Sequence, residues 1–315
     1  MAGLEFEKPI IDLERKIEEL KNFTSHKKID LSSEVKRLEE KLEHLKKDIY
    51  GNLVAWQRVQ IARHPKRPYT LDYVGMIMSD FIEIHGDRLF ADDRALITGL
   101  AKLDNQKVFV MGHQKGRDIK ENLKRNFGCA HPEGYRKALR VMRMAEKFNI
   151  PVVIFIDTPG AYPGIGAEER GQAQAIALNL RDMVTIATPI VVTVIGEGGS
   201  GGALGVGVAD RVCVLENAYY SVISPEGCAA ILWKDGAKAP EAAEVLKLTA
   251  PDLLKMSLID EIIAEPLGGA HRDPDKTAQT VKESVKRHLK ELKSLSKEKL
   301  LEARYEKFRS MGKFA

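Results

Sequence analysis

The chain has 315 residues, with 49 Lys and Arg against 45 Asp and Glu and a formal net charge of +4. This length accommodates one α/β domain of about 200 to 250 residues together with smaller appendages. The nearly balanced charge gives no indication of binding to nucleic acid or to an anionic membrane surface. No stretch reads as a membrane span, and the first nine residues carry early acids instead of an apolar export signal. We therefore expect a cytoplasmic protein.

Three cysteines, Cys129, Cys213 and Cys228, lie far apart in the sequence. They form no Cys-x-x-Cys pair, so the chain has neither the ligand spacing of a zinc ribbon nor the cysteine density of a disulfide-stabilised fold. The sequence predicts a reducing environment and no metal site on this chain.

The first 50 residues predict two amphipathic helices. Apolar residues recur three and four positions apart from Ile10 to Leu20, and the polar segment that follows allows the chain to fold back as an antiparallel hairpin. We expect an N-terminal helical hairpin over residues 1–60, either as a plain appendage or as a docking surface for a partner chain. The second helix has a heptad seam with alternating steps of four and three, at Leu31, Val35, Leu38, Leu42, Leu45 and Ile49.

After Pro68 the pattern changes to short apolar runs that alternate with loops and helical segments, which is typical of an α/β fold. Helices are predicted over 132–148 and 167–187, and a charged helix is predicted from Pro274 onward. A strand, a glycine loop and a helix follow one another over 152–187 and again over 190–209, which indicates a repeated unit. Strands are predicted at 108–111, 152–156, 190–195, 212–215 and 220–223.

The most informative segment is the turn from Gly196 to Gly207, in which seven of twelve residues are glycine. It follows the apolar run from Ile190 to Ile195, so it reads as a buried strand that enters a tight turn and then a short helix. Such a turn allows close approach of the backbone to a ligand and leaves N–H groups free to donate to it. The sequence predicts a site for an anion or for a developing oxyanion.

This turn also matches the nucleophile elbow of serine hydrolases, Gly198-x-Ser200-x-Gly202. Potential triad partners follow in the appropriate order, first Asp210, Asp235 or Asp260, and then His271. A serine hydrolase that uses Ser200 is therefore the main alternative. The plainer interpretation is that Ser200 is a small residue in a tight turn.

Two further patterns are weaker. Gly196-x-Gly198-x-x-Gly201 fits a dinucleotide fingerprint, with Glu216 as the ribose-binding acid, but the helix after it is short for a crossover between parallel strands. Asp157-Thr158-Pro159-Gly160 is similar to a GTPase magnesium turn, yet no phosphate-binding loop accompanies it, so we interpret it as a turn after a strand. The basic cluster of Lys115, Arg117, Lys120, Lys124 and Arg125 is interpreted as a solvated face, with contact to a phosphate group as the alternative.

The chain contains several longer motifs on both sides of the glycine turn. They are WQRVQIARHPKRPYTLDY (56 to 73), HGDR (85 to 88), GHQKGR (112 to 117), NFGCAHPEGYRKALR (126 to 140), FIDTPGAYPGIGAEERGQ (155 to 172), GVADRVCVLENAYYSVISPEGCAAILWK (207 to 234) and EPLGGAHRDP (265 to 274). Together with the glycine turn, these motifs resemble the carboxyltransferase α-subunit family of bacterial acetyl-CoA carboxylase. The resemblance covers nearly the whole sequence.

The resemblance implies a crotonase-like fold of repeated ββα units over residues 61–315, including C-terminal helices from about 274. It implies transfer of a carboxyl group from carboxybiotin on a separate carrier protein to acetyl-CoA, giving malonyl-CoA, with no cofactor bound covalently to this chain. The implied partners are a β subunit that carries a zinc ribbon, the biotin carboxyl carrier protein and biotin carboxylase. An α2β2 heterotetramer is expected, with no role for a membrane or for nucleic acid.

By position, the resemblance places the family's oxyanion hole on the backbone N–H groups of Gly201 and Gly202. Backbone donors fixed in advance stabilise a developing oxyanion, and the close approach of a ligand favours glycine at both positions. The base that forms the enolate is expected to be biotin itself. The implied substrate-binding residues are Gly160, Ala161, Gly198, Gly199 and Ser200.

Overall fold

The computed structural model describes residues 3–27 and 31–312 of the chain. The outer ends of the two predicted domains, residues 1–2 and 313–315, and residues 28–30 of the hairpin connection lie outside the described residues.

The N-terminal hairpin consists of α1 (Lys8–Lys27) and α2 (Ser32–Gly51). Apolar side chains of both helices form one cluster, in which Ile10, Ile17 and Leu42 are buried. The helical hairpin predicted from the sequence is therefore confirmed. Because α1 packs on the heptad seam of α2, much of that seam is already covered within the chain.

A hydrogen-bonded group at the base of the hairpin connects it to the rest of the molecule. The hydroxyl of Tyr50 donates to Oε1 of Glu7 at 2.6 Å, and Nη2 of Arg272 lies 3.2 Å from the same oxygen. The domain boundary near residue 60 stays a prediction. Helix α3 (Ala55–Ala62) runs across that position and packs with Tyr219 and Leu248 of the main domain.

The main domain is built on one mixed sheet of eight strands. In chain order its strands are β1 (Ser79–Glu83), β2 (Leu96–Leu103), β3 (Gln106–His113), β4 (Val152–Thr158), β5 (Ile190–Gly199), β6 (Arg211–Leu215), β7 (Tyr219–Ser221) and β8 (Glu261–Ile263). Their order in the sheet is β1-β2-β3-β4-β5-β6-β8, and the short β7 pairs with the end of β5. The first three strands are antiparallel, whereas the pairs from β3 to β8 are parallel.

Helices cover the sheet, with α6 (Pro132–Phe148) packed on β2 and β3, and α13 (Pro274–Lys293) packed on β5 and β8. All residues of β4 and β5 are buried, which explains their continuous apolar sequences. The remaining helices are α4 (Thr70–Ile77), α5 (Ile119–Lys124), α7 (Ile165–Glu169), α8 (Gln172–Met183), α9 (Ser200–Leu204), α10 (Pro225–Trp233), α11 (Ala239–Leu246), α12 (Ala250–Lys255) and α14 (Lys297–Arg309).

Three elements differ from the sequence prediction. The helix expected over 167–187 is two helices, α7 and α8, because Gly171 between them adopts a left-handed conformation with φ of 80°. Strand β5 continues to Gly199, so part of the predicted glycine turn is strand, and α9 after it has only five residues. The strand expected over 220–223 spans Tyr219–Ser221 instead.

The C-terminal helix α14 is fixed to the domain by a buried arginine. Arg304 is 1% exposed and forms two hydrogen bonds to the carboxylate of Asp210, at 2.9 and 2.8 Å. It also donates to the carbonyl oxygens of Met183, Ile186 and Thr188. Among the described residues, no helix has the length and apolar character that crossing a membrane requires.

Candidate functional site

The candidate site lies at the edge of the sheet where the parallel strands β3, β4 and β5 end. At this edge Gly199 ends β5 and Ser200 begins α9, with φ of 51° at Ser200. The first N–H groups of a helix have no partner within it, and those of Gly201 and Gly202 are among them. Gly201 is partly exposed, whereas Gly202 is buried. The turn therefore offers two backbone donors that the helix itself does not use.

Helix α9 is held from beneath by two buried polar side chains. The hydroxyl of Tyr135 on α6 donates to the carbonyl oxygen of Gly202 at 3.4 Å. The amide of Asn179 on α8 donates to the carbonyl oxygens of Tyr135 and Gly205, at 3.0 and 2.9 Å. These contacts fix the carbonyl side of the short helix, so its orientation is set before any ligand binds.

The loop that follows β4 packs directly against the glycine turn. A Cβ atom at Gly202 would lie 2.4 Å from the carbonyl carbon of Gly160 and 2.5 Å from the amide nitrogen of Ala161. A Cβ atom at Gly199 would lie 2.1 Å from the carbonyl oxygen of Pro159. Glycine is therefore required at both positions because two backbone segments meet there.

The predicted site residues accordingly lie in one place, with different surroundings. Gly202 packs against the backbone of Gly160 and Ala161, and Gly199 packs against Pro159 of the same loop. Gly198 lies in β5 beside them, paired with Thr158 of β4. Gly201 is less crowded, since a Cβ atom there would first meet Ile176, at 3.6 Å. Ser200 is exposed. Close packing therefore accounts for glycine at 202 but not at 201, and the ligand-binding roles of these residues stay predictions.

An apolar cavity of about 330 Å³ opens beside the turn. Ser200 and Gly201 lie on its wall, next to side chains from β7, from α12 and from α14. A cavity of this size accommodates a small bicyclic ring or an acyl chain. Its lining residues are Ser200, Gly201, Leu204, Gly207, Val212, Tyr220, Ser221, Val222, Leu253, Leu258, Phe308 and Met311.

A buried network of charged side chains lies behind the turn. Nζ of Lys115 is 2.6 Å from Oδ1 of Asp157 and 2.7 Å from Oε2 of Glu197. The other oxygen of Glu197 accepts hydrogen bonds from Nε of Arg63 and from the hydroxyl of Tyr219, both at 2.7 Å. The expected solvated face is therefore wrong for Lys115, whose side chain is only 13% exposed.

The network keeps Lys115 and Glu197 charged. Burial opposes both charges, but the two carboxylates outweigh it at Lys115 and raise the pKa of that side chain. Lys115 and Arg63 likewise outweigh burial at Glu197 and lower the pKa of its carboxyl to about 2. At Asp157 burial prevails and raises the pKa above its ordinary value. Asp157 is thus the member of the network most easily protonated.

The serine hydrolase alternative is not supported by the surroundings of its proposed triad. Asp210 is bound by Arg304, and Asp260 is paired with Lys307. His271 stacks on the ring of His64, with ring centroids 3.8 Å apart, at the base of the hairpin. Asp235 accepts a hydrogen bond from the N–H of Ala237 at a helix start. Each candidate residue has a structural partner elsewhere, and none of them lines the cavity beside Ser200.

Comparison with known families decides between the interpretations. Residues 3–312 match the family described as acetyl co-enzyme A carboxylase carboxyltransferase-like. The chain belongs to this carboxyltransferase family. Its members include the acetyl-coenzyme A carboxylase carboxyl transferase subunit alpha of Geobacter metallireducens, which is 60% identical over 99% of this chain and 98% of its own length. The corresponding subunit of Thermus thermophilus is 58% identical over 99% of each chain.

Solved structures show the same fold at much lower sequence identity. This member of the carboxyltransferase family superimposes on a chain of transcarboxylase 12S with a TM-score of 0.57 and 20% identity, over 74% of this chain and 44% of the transcarboxylase chain. It superimposes on a Pseudomonas malonate decarboxylase hetero-tetramer chain with a TM-score of 0.54 and 16% identity, over 68% and 85% of the two chains. The predicted α/β, crotonase-like fold is confirmed.

Sequence reasoning missed the charged network of this carboxyltransferase family member. Lys115 follows β3, Asp157 lies at the end of β4 and Glu197 lies near the end of β5. The available signal was the position of these three charged residues, at or just after the ends of apolar runs. Neighbouring parallel strands end at the same edge of a sheet, so the three side chains could have been expected to lie close together.

Proposed function

We propose that this chain is the α half of a two-part carboxyltransferase. In this function, a carboxyl group moves from carboxybiotin on a carrier protein to acetyl-CoA, and the products are malonyl-CoA and biotin. The observation that carries the proposal is the glycine turn with two backbone N–H donors beside an apolar cavity, in a chain that matches this family over residues 3–312.

The reaction creates negative charge on oxygen atoms at two places. Cleavage of the N–C bond of carboxybiotin releases CO2 and leaves charge on the ureido oxygen. Loss of a methyl proton from acetyl-CoA to the ureido group gives an enolate, whose carbon then forms the new bond to CO2. The N–H groups of Gly201 and Gly202 donate to the ureido oxygen in this proposal. Preorganised donors of this kind contribute about 3 to 4 kcal/mol each in a water-excluded site.

The remaining predicted residues shape the space around these donors. Gly198 and Gly199 carry the turn to its position, and Gly160 and Ala161 pack against it. Ser200 presents its side chain at the cavity wall, where the apolar lining accommodates the bicyclic ring and the aliphatic chain of biotin. We assign these five residues to substrate binding and assign no nucleophilic role to Ser200.

The second oxyanion, the thioester enolate, requires donors from another chain in this proposal. We infer a β subunit that carries a zinc ribbon, the biotin carboxyl carrier protein and biotin carboxylase as partners, with an α2β2 carboxyltransferase in the cytoplasm that serves fatty acid synthesis. Exposed apolar residues support contact with a partner chain. Ile119 and Leu123 lie four residues apart on α5, and their side chains are 77% and 63% exposed.

An omission assay tests the proposal. The purified chain, its β partner and the two together are each incubated with carboxylated carrier protein and acetyl-CoA, and malonyl-CoA is measured. We expect product only when both chains are present. Appreciable malonyl-CoA from this chain alone contradicts the divided site, and the absence of product from the assembled, correctly folded pair contradicts the proposed reaction.

A further inference from the structure

The strand that carries the glycine turn contains an irregularity next to the charged network. In the pairing of β4 with β5, Ile156 is opposite Val194 but Thr158 is opposite Gly198. Two residues of β4 therefore span the distance that four residues of β5 cover. Such a bulge changes the direction of the residues that follow it, which here are the glycines of the turn.

Glu197 lies within this bulge, and its backbone and side chain are both held by the network. Its N–H donates to Oδ1 of Asp157 at 2.9 Å, and its Oε2 accepts from Lys115 at 2.7 Å. The same oxygen of Asp157 accepts from Lys115 at 2.6 Å. One ammonium group thus bridges the ends of both strands at the point where their register changes.

Lys115 itself has little freedom to move. A Cβ atom at Gly128 would lie 2.9 Å from Cγ of Lys115, so its aliphatic stem is packed against the backbone there. Space is also limited at Gly196, because a Cβ atom there would lie 2.6 Å from Oδ1 of Asp157. The bridge is therefore enclosed by backbone on the side of β5 and on the side of the stem.

We propose that Lys115 is a positioning residue, which fixes the bulge in β5 and thereby the location of the Gly201 and Gly202 donors relative to Gly160. The proposal rests on the proposed function and adds a residue to it. Lys115 acts through Asp157 and Glu197 and does not touch substrate. Without its charge, the two carboxylates repel each other across the strand ends, and the turn moves away from the loop after β4.

Because the network is charged, the positioning role of Lys115 predicts a specific dependence of kcat on pH when Lys115 is replaced. In the intact network Lys115 stays protonated at every working pH, because the carboxylates raise its pKa. When Lys115 is replaced by Met, a protonated Asp157 can donate to Glu197 and restore a bridge. This bridge is lost as pH rises and Asp157 ionises. The other charged or titratable groups that face the network are Arg63, Arg67, Tyr69, Tyr73, His113, Cys129, Tyr219 and Glu226.

The test compares Lys115→Met with Lys107→Met, an exposed lysine near the start of β3, in the complete complex with the β partner. We expect kcat of the Lys115→Met complex to fall about 100-fold near neutral pH, as a displacement of about 1 Å does in other enzymes. We also expect the loss to be smaller at acidic pH and to grow as pH rises. The Lys107→Met complex should match the wild-type kcat and pH profile. Equal kcat values for both variants across the pH range would overturn the proposal.

A double variant, Lys115→Met with Asp157→Asn, separates positioning from general loss of stability. The amide carries no charge, its oxygen accepts from the N–H of Glu197 as Asp157 does, and its nitrogen donates to the carboxylate of Glu197 as a protonated Asp157 would. We therefore expect a kcat about tenfold below wild type with no added pH dependence. If the Lys115→Met chain fails to fold, the double variant provides the test of the positioning role. A folded double variant with the wild-type kcat, or with the pH profile of the single variant, would contradict the assignment.

Hydrogen exchange distinguishes failure of this inference from failure of the proposed function. We expect faster amide exchange in Lys115→Met over 157–162 and 196–203, with unchanged exchange in the hairpin. This readout does not depend on the reaction. Unchanged exchange at both segments overturns the inference, even if the complex makes malonyl-CoA. If exchange is faster but the wild-type complex makes no malonyl-CoA, the inference about Lys115 stands and only the proposed reaction is contradicted.

Discussion

Replacing Gly202 by alanine tests the packed arrangement of the two loops. The added methyl group would lie 2.4 Å from the carbonyl carbon of Gly160 and 2.5 Å from the amide nitrogen of Ala161. Both are backbone atoms, so no side chain can rotate away to make room. The variant must therefore separate the glycine turn from the loop after β4, and the N–H donor of residue 202 moves with the turn.

Two effects determine how much stability and how much activity Gly202→Ala is expected to lose. Forcing one methyl group into a packed site costs about 1 to 3 kcal/mol of folding free energy. Misplacing one oxyanion donor raises the activation free energy by about 3 to 4 kcal/mol, which corresponds to a loss of roughly 10² to 10³ in kcat. We therefore expect Gly202→Ala to remain folded, because a domain of this size tolerates a small loss of stability, and to lose most of its activity.

Gly201→Ala is the matched control. A Cβ atom there would first meet Cδ1 of Ile176 at 3.6 Å, which is an ordinary van der Waals distance. The backbone N–H is retained, and alanine favours the helix over glycine by up to about 1 kcal/mol. We expect it to unfold in urea like the wild type and to lose less kcat than Gly202→Ala. Malonyl-CoA formation by each reconstituted complex and urea unfolding of each chain provide the measurements. A Gly202→Ala complex as active as the Gly201→Ala complex would refute the reasoning.

Three further substitutions test other parts of the structure. Ser200→Ala should reduce carboxyltransferase activity less than tenfold, because it keeps the backbone donors; a loss near 10⁶, the effect of removing a catalytic serine, would restore the hydrolase interpretation. Arg304→Met should destabilise the domain by about 3 to 5 kcal/mol in urea unfolding, since it leaves Asp210 buried and unpaired, and Asp210→Asn in the same chain should recover part of the loss; equal stability of the single and double variants would argue against this ion pair. Leu42→Asp should cost several kcal/mol of hairpin packing and weaken association with the β partner while the main domain stays folded; unchanged sedimentation and activity would show that assembly does not depend on the hairpin.

The central parallel strands of the sheet could be predicted from the sequence, whereas the strands at its two edges could not. Strands β4 and β5 are buried on both faces, so their sequences are continuous apolar runs. Strand β1 is mostly exposed and β8 has three residues, so neither leaves a periodic pattern. The break at Gly171 was missed because a single glycine within a helical pattern is compatible with continuation of the helix.

The glycine turn of the candidate site was predicted from local sequence, because its residues are consecutive. The reason for glycine at 202 could not be predicted in this way, since the atoms that a side chain there would contact belong to Gly160 and Ala161, about 40 residues earlier in the chain. Lys115 was misinterpreted for the same reason. Its partners Asp157 and Glu197 lie 42 and 82 residues away, whereas the neighbouring charges that suggested a solvated face are close in sequence.

The most direct test of the central claim is a structure of the assembled carboxyltransferase with a biotinylated carrier protein bound. We expect the ureido oxygen of biotin within about 2.7 to 3.1 Å of the backbone N–H groups of Gly201 and Gly202. We also expect the bicyclic ring in the cavity beside Leu204 and Val222. A ureido oxygen bound instead by side chains elsewhere, with this turn facing solvent, would show that the turn is not the oxyanion hole.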